Sequence, residues 1–283
     1  MFRLRRLASA ALGITLLGAT AAPISAPPRR IVSLNMCADE LIIALADPGQ
    51  IAGLTEWARD PDLSFYAERA QALPITHRSA EEVMALHPDV VIGAPYRTKA
   101  ALTSLKAAHI PMVDLPMKEG GEGMEASIRT VAAAVGHTDR GDALIASIRA
   151  ELSQIGPPPG RGRVAAYYQR QGYLTGTGTL VDDMMRRVGL VNLTTRIGRP
   201  ALSKLSLEEM ALAHPDFLLM DGGTEVVSDR GSAMLHHPLL DRVVPPTRRI
   251  YIPQSLTVCG GPSFPKAVAL LAKQVRAADR VTR

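Results

Sequence analysis

Aromatic residues and cysteine are scarce in this chain. One tryptophan, six tyrosines, four phenylalanines and two cysteines are spread over 283 positions. Two cysteines, Cys37 and Cys259, allow a single pairing, and that pairing would link the two ends of the chain. Lys and Arg are scattered instead of clustered on one element, which argues against a nucleic-acid surface. The histidines His77, His87, His109, His137, His214, His236 and His237 include no H-x3-H pair, so helical metal-ligand spacing is missing. There is no G-x-S-x-G elbow. Gly172, Gly176 and Gly178 lack both the spacing and the placed acid of a dinucleotide-binding loop. No catalytic constellation remains, which argues against an enzyme. Beyond residue 22, no apolar run reaches the ~20 residues that span a bilayer.

What is present begins at the N-terminus. Arg3, Arg5 and Arg6 form a basic start, and an apolar run from Leu7 to Ala22 follows. Ala19-Thr20-Ala21 has the small-x-small form of a cleavage site. The run is shorter than a membrane span, so residues 1–26 read as a cleaved signal peptide and processing region. No cysteine stands near the cleavage site to carry a lipid. Removing three arginines and no acid lowers the formal charge from +5 to +2, so much of the basicity belongs to the leader. The expected location is outside the cytoplasm, in the periplasm.

The mature chain shows α/β organisation. Strand signals at Arg30–Leu34, Ile51–Leu54, Val90–Ile92 and Ile110–Leu115 alternate with helices of about ten residues, the pattern of parallel βαβ units. From Met124 to Ile155 the apolar residues fall at helical spacing. Gly136-His137-Thr138-Asp139 interrupts that stretch, and Gly156-Pro157-Pro158-Pro159-Gly160 stops it. Strand signals restart at Arg163–Tyr168 and continue at Phe217–Met220 and Ile250–Ile252. The expected domains are an N-terminal lobe over 27–122, a helical connector over 123–160 and a C-terminal lobe over 161–283.

A short unit occurs twice, 127 positions apart. Residues 79–92, SAEEVMALHPDVVI, return at 206–219 as SLEEMALAHPDFLL, with six of fourteen positions identical. Each copy reads as a capped helix, a proline stop and a buried strand. Ser79 with Glu82 and Ser206 with Glu209 match a capping box, in which the hydroxyl accepts from the N3 amide and the glutamate reaches back. His87 and His214 are accounted for as the last residues before a proline. Glu81 and Glu208 are left over, one per lobe. They either complement the helix N-terminus or form matched acidic knobs for a two-fold partner.

Arg30-Ile31-Val32-Ser33-Leu34, the duplicated S-x-E-E unit ending in His-Pro-Asp and an apolar run, and Gly189-Leu190-Val191-Asn192 together resemble the periplasmic cobalamin- and ferric-siderophore-binding proteins. These are the solute-binding components of ABC importers. The resemblance covers roughly residues 29–276. It implies two Rossmann-like lobes with parallel central sheets joined by one long connecting helix. It also implies docking of Glu81 and Glu208 on an inner-membrane permease dimer with its ATPase. A metal chelate would be the cargo and not a resident cofactor, and the protein would be a monomer.

Ligands of open α/β sheets lie beyond the carboxyl ends of the strands. That rule places Trp57, Tyr96 and Tyr168 around the cleft, each followed or closely followed by an arginine: Arg59, Arg97 and Arg170. Flat rings suit a macrocycle or aromatic chelate, and arginine suits carboxylates. An aromatic cleft favours a corrinoid and an arginine-rich one a ferric siderophore, and the residues fit both. For Cys37 and Cys259 three readings stay open: a disulfide staple, two separate thiols, or soft-metal ligands. The alternative functions are a free metal-ion (Zn or Mn) binder of an ABC importer and a periplasmic tetrapyrrole-acting enzyme on the same scaffold.

Overall fold

A computed structural model describes residues 26–93, 99–116, 120–227 and 229–281. The first half builds β1 (Ile31–Ser33), α1 (Met36–Leu45), β2 (Ile51–Thr55), α2 (Ala67–Ala70), β3 (Ile75–Thr76), α3 (Ala80–Ala85), β4 (Val90–Gly93), α4 (Lys99–Ala107) and β5 (Met112–Asp114). Its five-stranded sheet has the order β3-β2-β1-β4-β5, and every pair is parallel. Val90, Val91 and Ile92 are all buried, as expected for a strand covered on both faces.

Two 16-residue helices follow, α5 (Gly120–Val135) and α6 (Thr138–Ser153), packed against each other. Gly136 turns the chain between them at φ +83°, and a Cβ there would lie 2.7 Å from Pro27, so the turn requires glycine. The lobes are thus joined through a helical pair, of which α6 leads into the second lobe.

The second half builds β6 (Val164–Tyr168), β7 (Tyr173–Thr175), α7 (Leu180–Arg187), β8 (Val191–Asn192), α8 (Leu193–Ile197), β9 (Leu202–Lys204), α9 (Leu207–Ala213), β10 (Phe217–Asp221), α10 (Arg230–Ala233), α11 (Pro238–Val243), β11 (Arg249–Ile252) and α12 (Phe264–Val281). Its centre, β11-β10-β6 with β8 beside β6, is parallel. Onto β6 the chain adds β7 and β9, both antiparallel. Gly172 to Gly178 is a Gly-rich stretch in the sequence. Within it, exposed Tyr173, buried Leu174 and half-buried Thr175 form β7, paired with β6 on one side and β9 on the other.

One apolar core runs through the molecule. It takes Ile31 and Ile92 from the first sheet, Ala165, Phe217 and Ile252 from the second, and Ile128, Ile145, Met184 and Leu271 from the helices between them. Smaller clusters cover the outer faces, around Val32 and Leu105 in one lobe and Leu218 and Leu240 in the other. A shared, close-packed middle layer resists relative rotation of the sheets.

Candidate functional site

A cavity of about 510 Å³ opens between the lobes at the carboxyl ends of their strands, where open α/β sheets place their ligands. Its C-terminal-lobe wall is polar. The alternation of β6 sends Tyr167 toward the middle layer and the cavity, while Tyr168 points to the outer face. The Tyr167 hydroxyl donates to Oδ1 of Asp221, the last residue of β10, and lies 3.3 Å from the Thr257 hydroxyl. Gln169 Nε2 donates to Asp221 Oδ2 at 3.1 Å, and Thr175 Oγ1 donates to Gln169 Oε1 at 2.9 Å. Burial, reinforced by the neighbouring Asp221 carboxylate, pushes the Tyr167 phenol well above its usual range. All five of these residues line the cavity.

The opposite wall is mainly apolar, with Leu41, Leu115, Pro116 and Met124. Asn35 lines it too, and its Oδ1 accepts from the Ala38 amide at 2.7 Å to cap α1. Cys37, on the first turn of α1, is disulfide-bonded to Cys259, with 5.2 Å between the Cα atoms. The bond ties the first lobe to the loop before α12, and Cys37, Val258 and Gly260 face the cavity around it.

Two buried carboxylates lie behind this wall. Asp39 accepts from the Thr55 amide and hydroxyl, and Glu40 accepts from the Phe65 amide. Burial drives both up to about 7. Helix α7 of the second lobe also buries two acids, Asp182 and Asp183, but Arg186 and Arg187 pair with them.

The ring-and-arginine lining expected from the sequence is not what surrounds this cavity. Tyr168 is fully buried, and its hydroxyl donates to the Leu205 carbonyl at 2.8 Å. Trp57 lies under the Arg78 guanidinium, 3.8 Å from the ring centre, and Arg78 also pairs with Glu56. Arg59 is spent on the carbonyls of Ala70 and Leu73. Arg170 pairs with Asp229. None of these four side chains lines the cavity. Tyr96 and Arg97 fall outside the described residues. What reasoning from sequence missed is the phase of β6: with both faces of the strand buried, adjacent tyrosines give no sign of which one looks into the cleft. Asp221 carried a usable signal, a carboxylate ending a buried strand.

Glu81 and Glu208 are both exposed at the second position of their helices. Their neighbours are tied down. Glu209 closes a full capping box and pairs with Arg199. Glu82 departs from the expected box: it reaches past Ser79 to the His77 amide and the Thr76 hydroxyl. His87 and His214 adopt the same left-handed conformation, both at φ 45°. The two copies therefore end their helices in one way and present one exposed glutamate each. Among the described residues, no three His, Cys, Asp or Glu side chains are gathered to hold a metal ion. No helix of the described residues is long and apolar enough to cross a membrane.

Residues 31–248 match the periplasmic binding protein family. The cobalamin-binding protein of Halobacterium salinarum is 20% identical over 221 residues, 76% of this chain. The match spans 60% of that relative's length. Among solved structures, the periplasmic heme-binding protein BhuT in complex with two hemes is similar with a TM-score of 0.71 and 22% identity, over 88% of this chain and 98% of that one. The periplasmic vitamin B12 binding protein BtuF of Vibrio cholerae is similar with a TM-score of 0.65 and 14% identity, over 90% and 99%. Likeness at these identities establishes the fold. The length of the family match settles the kinship: the chain belongs to the periplasmic binding protein family, whose members bind solutes and are not enzymes.

Proposed function

We propose that this member of the periplasmic binding protein family captures a metal chelate of the corrinoid class in the periplasm and delivers it to an ABC permease. The carrying observation is the cavity between the lobes, walled by apolar side chains on one side and by hydroxyl and amide groups on the other. A pocket of this size and composition suits a large, rigid ligand with polar edges. Corrinoids carry carboxamide groups around an apolar ring, which matches a wall of Tyr167, Gln169, Thr175, Gln254 and Thr257. The cobalamin-binding relative supports the same class. The exposed Glu81 and Glu208 are the docking points, and the leader over residues 1–26 directs export.

Ferric heme is a second reading. Tyr167 supports it, because its oxygen lines the cavity and a tyrosine oxygen is a hard donor for Fe(III). Calorimetric titration of the mature protein with cyanocobalamin, hemin and a ferric hydroxamate separates the classes. The corrinoid reading expects one saturable site at micromolar concentration or below for cyanocobalamin. Binding of hemin alone would replace it with the second reading, and no binding of any would remove both.

A further inference from the structure

We propose that Asp221 sets the ligand selectivity of the cleft, admitting chelates with amide edges and rejecting those with carboxylate edges. This rests on the chelate-binding reading above and adds the residue and the edge chemistry it recognises. Asp221 ends β10, lines the cavity and is 9% exposed. Its side-chain donors are the Tyr167 hydroxyl and the Gln169 amide, both neutral. No ion pair joins it to a Lys, Arg or His among the described residues. A carboxylate oxygen has room for two donors, and each Asp221 oxygen receives one from a side chain, so each has an acceptor site to spare.

A nearly buried carboxylate without a cation gains from any ligand that brings N–H or O–H donors, and it repels a ligand that brings another carboxylate. The relay from Thr175 through Gln169 fixes the geometry. Thr175 Oγ1 holds the Gln169 oxygen, which turns the Gln169 NH₂ toward Asp221 and leaves the carboxylate orientation determined on both sides. A purely structural Asp221, serving only to orient Tyr167 and Gln169, would affect all ligands alike. Selectivity between matched ligands separates the two roles.

Dicyanocobinamide and dicyanocobyrinic acid share ring and metal and differ in carrying carboxamides or carboxylates at the periphery. Their affinities are measured by calorimetry for the wild-type protein, Asp221→Asn and Tyr167→Phe, with thermal unfolding to establish that each variant is folded. The wild type is expected to prefer the amide form by at least about tenfold, and Asp221→Asn to cut that preference below about threefold. Tyr167→Phe keeps the charge and is expected to keep the preference. An Asp221→Asn variant that weakens both ligands equally, with the ratio intact, overturns the assignment. So does a Tyr167→Phe variant that erases the ratio as fully as Asp221→Asn. Failure of both corrinoids to bind the wild type overturns the corrinoid reading, and this inference with it.

Discussion

The two lobes carry the same repeated unit but contribute differently to the cleft. In the first lobe an all-parallel sheet ends at the apolar side, where Leu41, Leu115 and Pro116 face the cavity. In the second lobe two antiparallel strands extend the sheet and bring Thr175, Ala201 and Leu202 to the rim, beside the polar set around Asp221. One lobe lines the cavity mainly with apolar side chains and the other with polar ones. The duplicated helices keep an exposed glutamate at the same position in both lobes, Glu81 and Glu208, while the two walls of the cavity differ.

The largest expected effect tests that shared feature. Glu81→Lys with Glu208→Lys should reduce transport of the bound chelate by more than about tenfold by reversing charge at both proposed docking points. Ligand affinity measured on the isolated variant should stay within about twofold of wild type, since neither side chain lines the cavity. Retained uptake would mean that the symmetry of the repeat has no docking role.

Cutting the covalent tie between the lobes comes next. The Cys37–Cys259 disulfide closes a loop spanning 222 residues, and replacing both cysteines by serine should cost about 2–5 kcal/mol in stability. Thermal unfolding with and without reductant measures this. An unchanged melting temperature on reduction would show that the shared helical layer alone holds the lobes together.

The third contrast lies between α1 and α7. Both bury two consecutive acids, but among the described residues only those of α7 have arginine partners. Asp39 and Glu40 have folded-state values near 7, against ordinary values of 3.8 and 4.5. The folded state therefore holds these protons more tightly than the unfolded chain. Their contribution favours folding at low pH and is lost as pH rises from about 4 to about 7, by an amount on the order of a few kcal/mol. Denaturant unfolding across that range should show the decline, and Asp39→Asn should flatten it. A stability rising through the same window would contradict the burial argument.

The smallest effect separates the adjacent tyrosines. Tyr168→Phe removes the bond to the Leu205 carbonyl and should cost about 1 kcal/mol in stability, with ligand affinity unchanged. A loss of affinity in Tyr168→Phe would show that the outer face of β6 reaches the ligand.

Much of this organisation is legible in the sequence, because it rests on patterns that repeat. The duplicated helix–proline–strand unit, the buried runs at Val90–Ile92 and Phe217–Met220, and the Gly136 break declare two α/β lobes with helices between them. Strands β7 and β9 are three residues each, too short to show a period of two in sequence. The cavity lining was harder still. Trp57, Arg59 and Arg170 stand at strand ends, as the rule for α/β sheets requires, yet Arg78, two backbone carbonyls and Asp229 occupy them. These partners lie from 11 to 59 residues away in sequence. The residues that do line the cleft, Gln169, Thr175, Asp221 and Thr257, are individually ordinary and acquire a role only when the relay joins them.

On the proposed reading the chelate sits in the cavity between an apolar and a polar wall. Ala201 is exposed at the cavity rim, so Ala201→Trp should block the opening without disturbing the core. Calorimetric titration with cyanocobalamin tests the claim most directly. One saturable site in the wild type, lost in Ala201→Trp and retained in Glu81→Lys with Glu208→Lys, is the predicted result. Undiminished binding by a folded Ala201→Trp protein would place the ligand elsewhere and contradict the account.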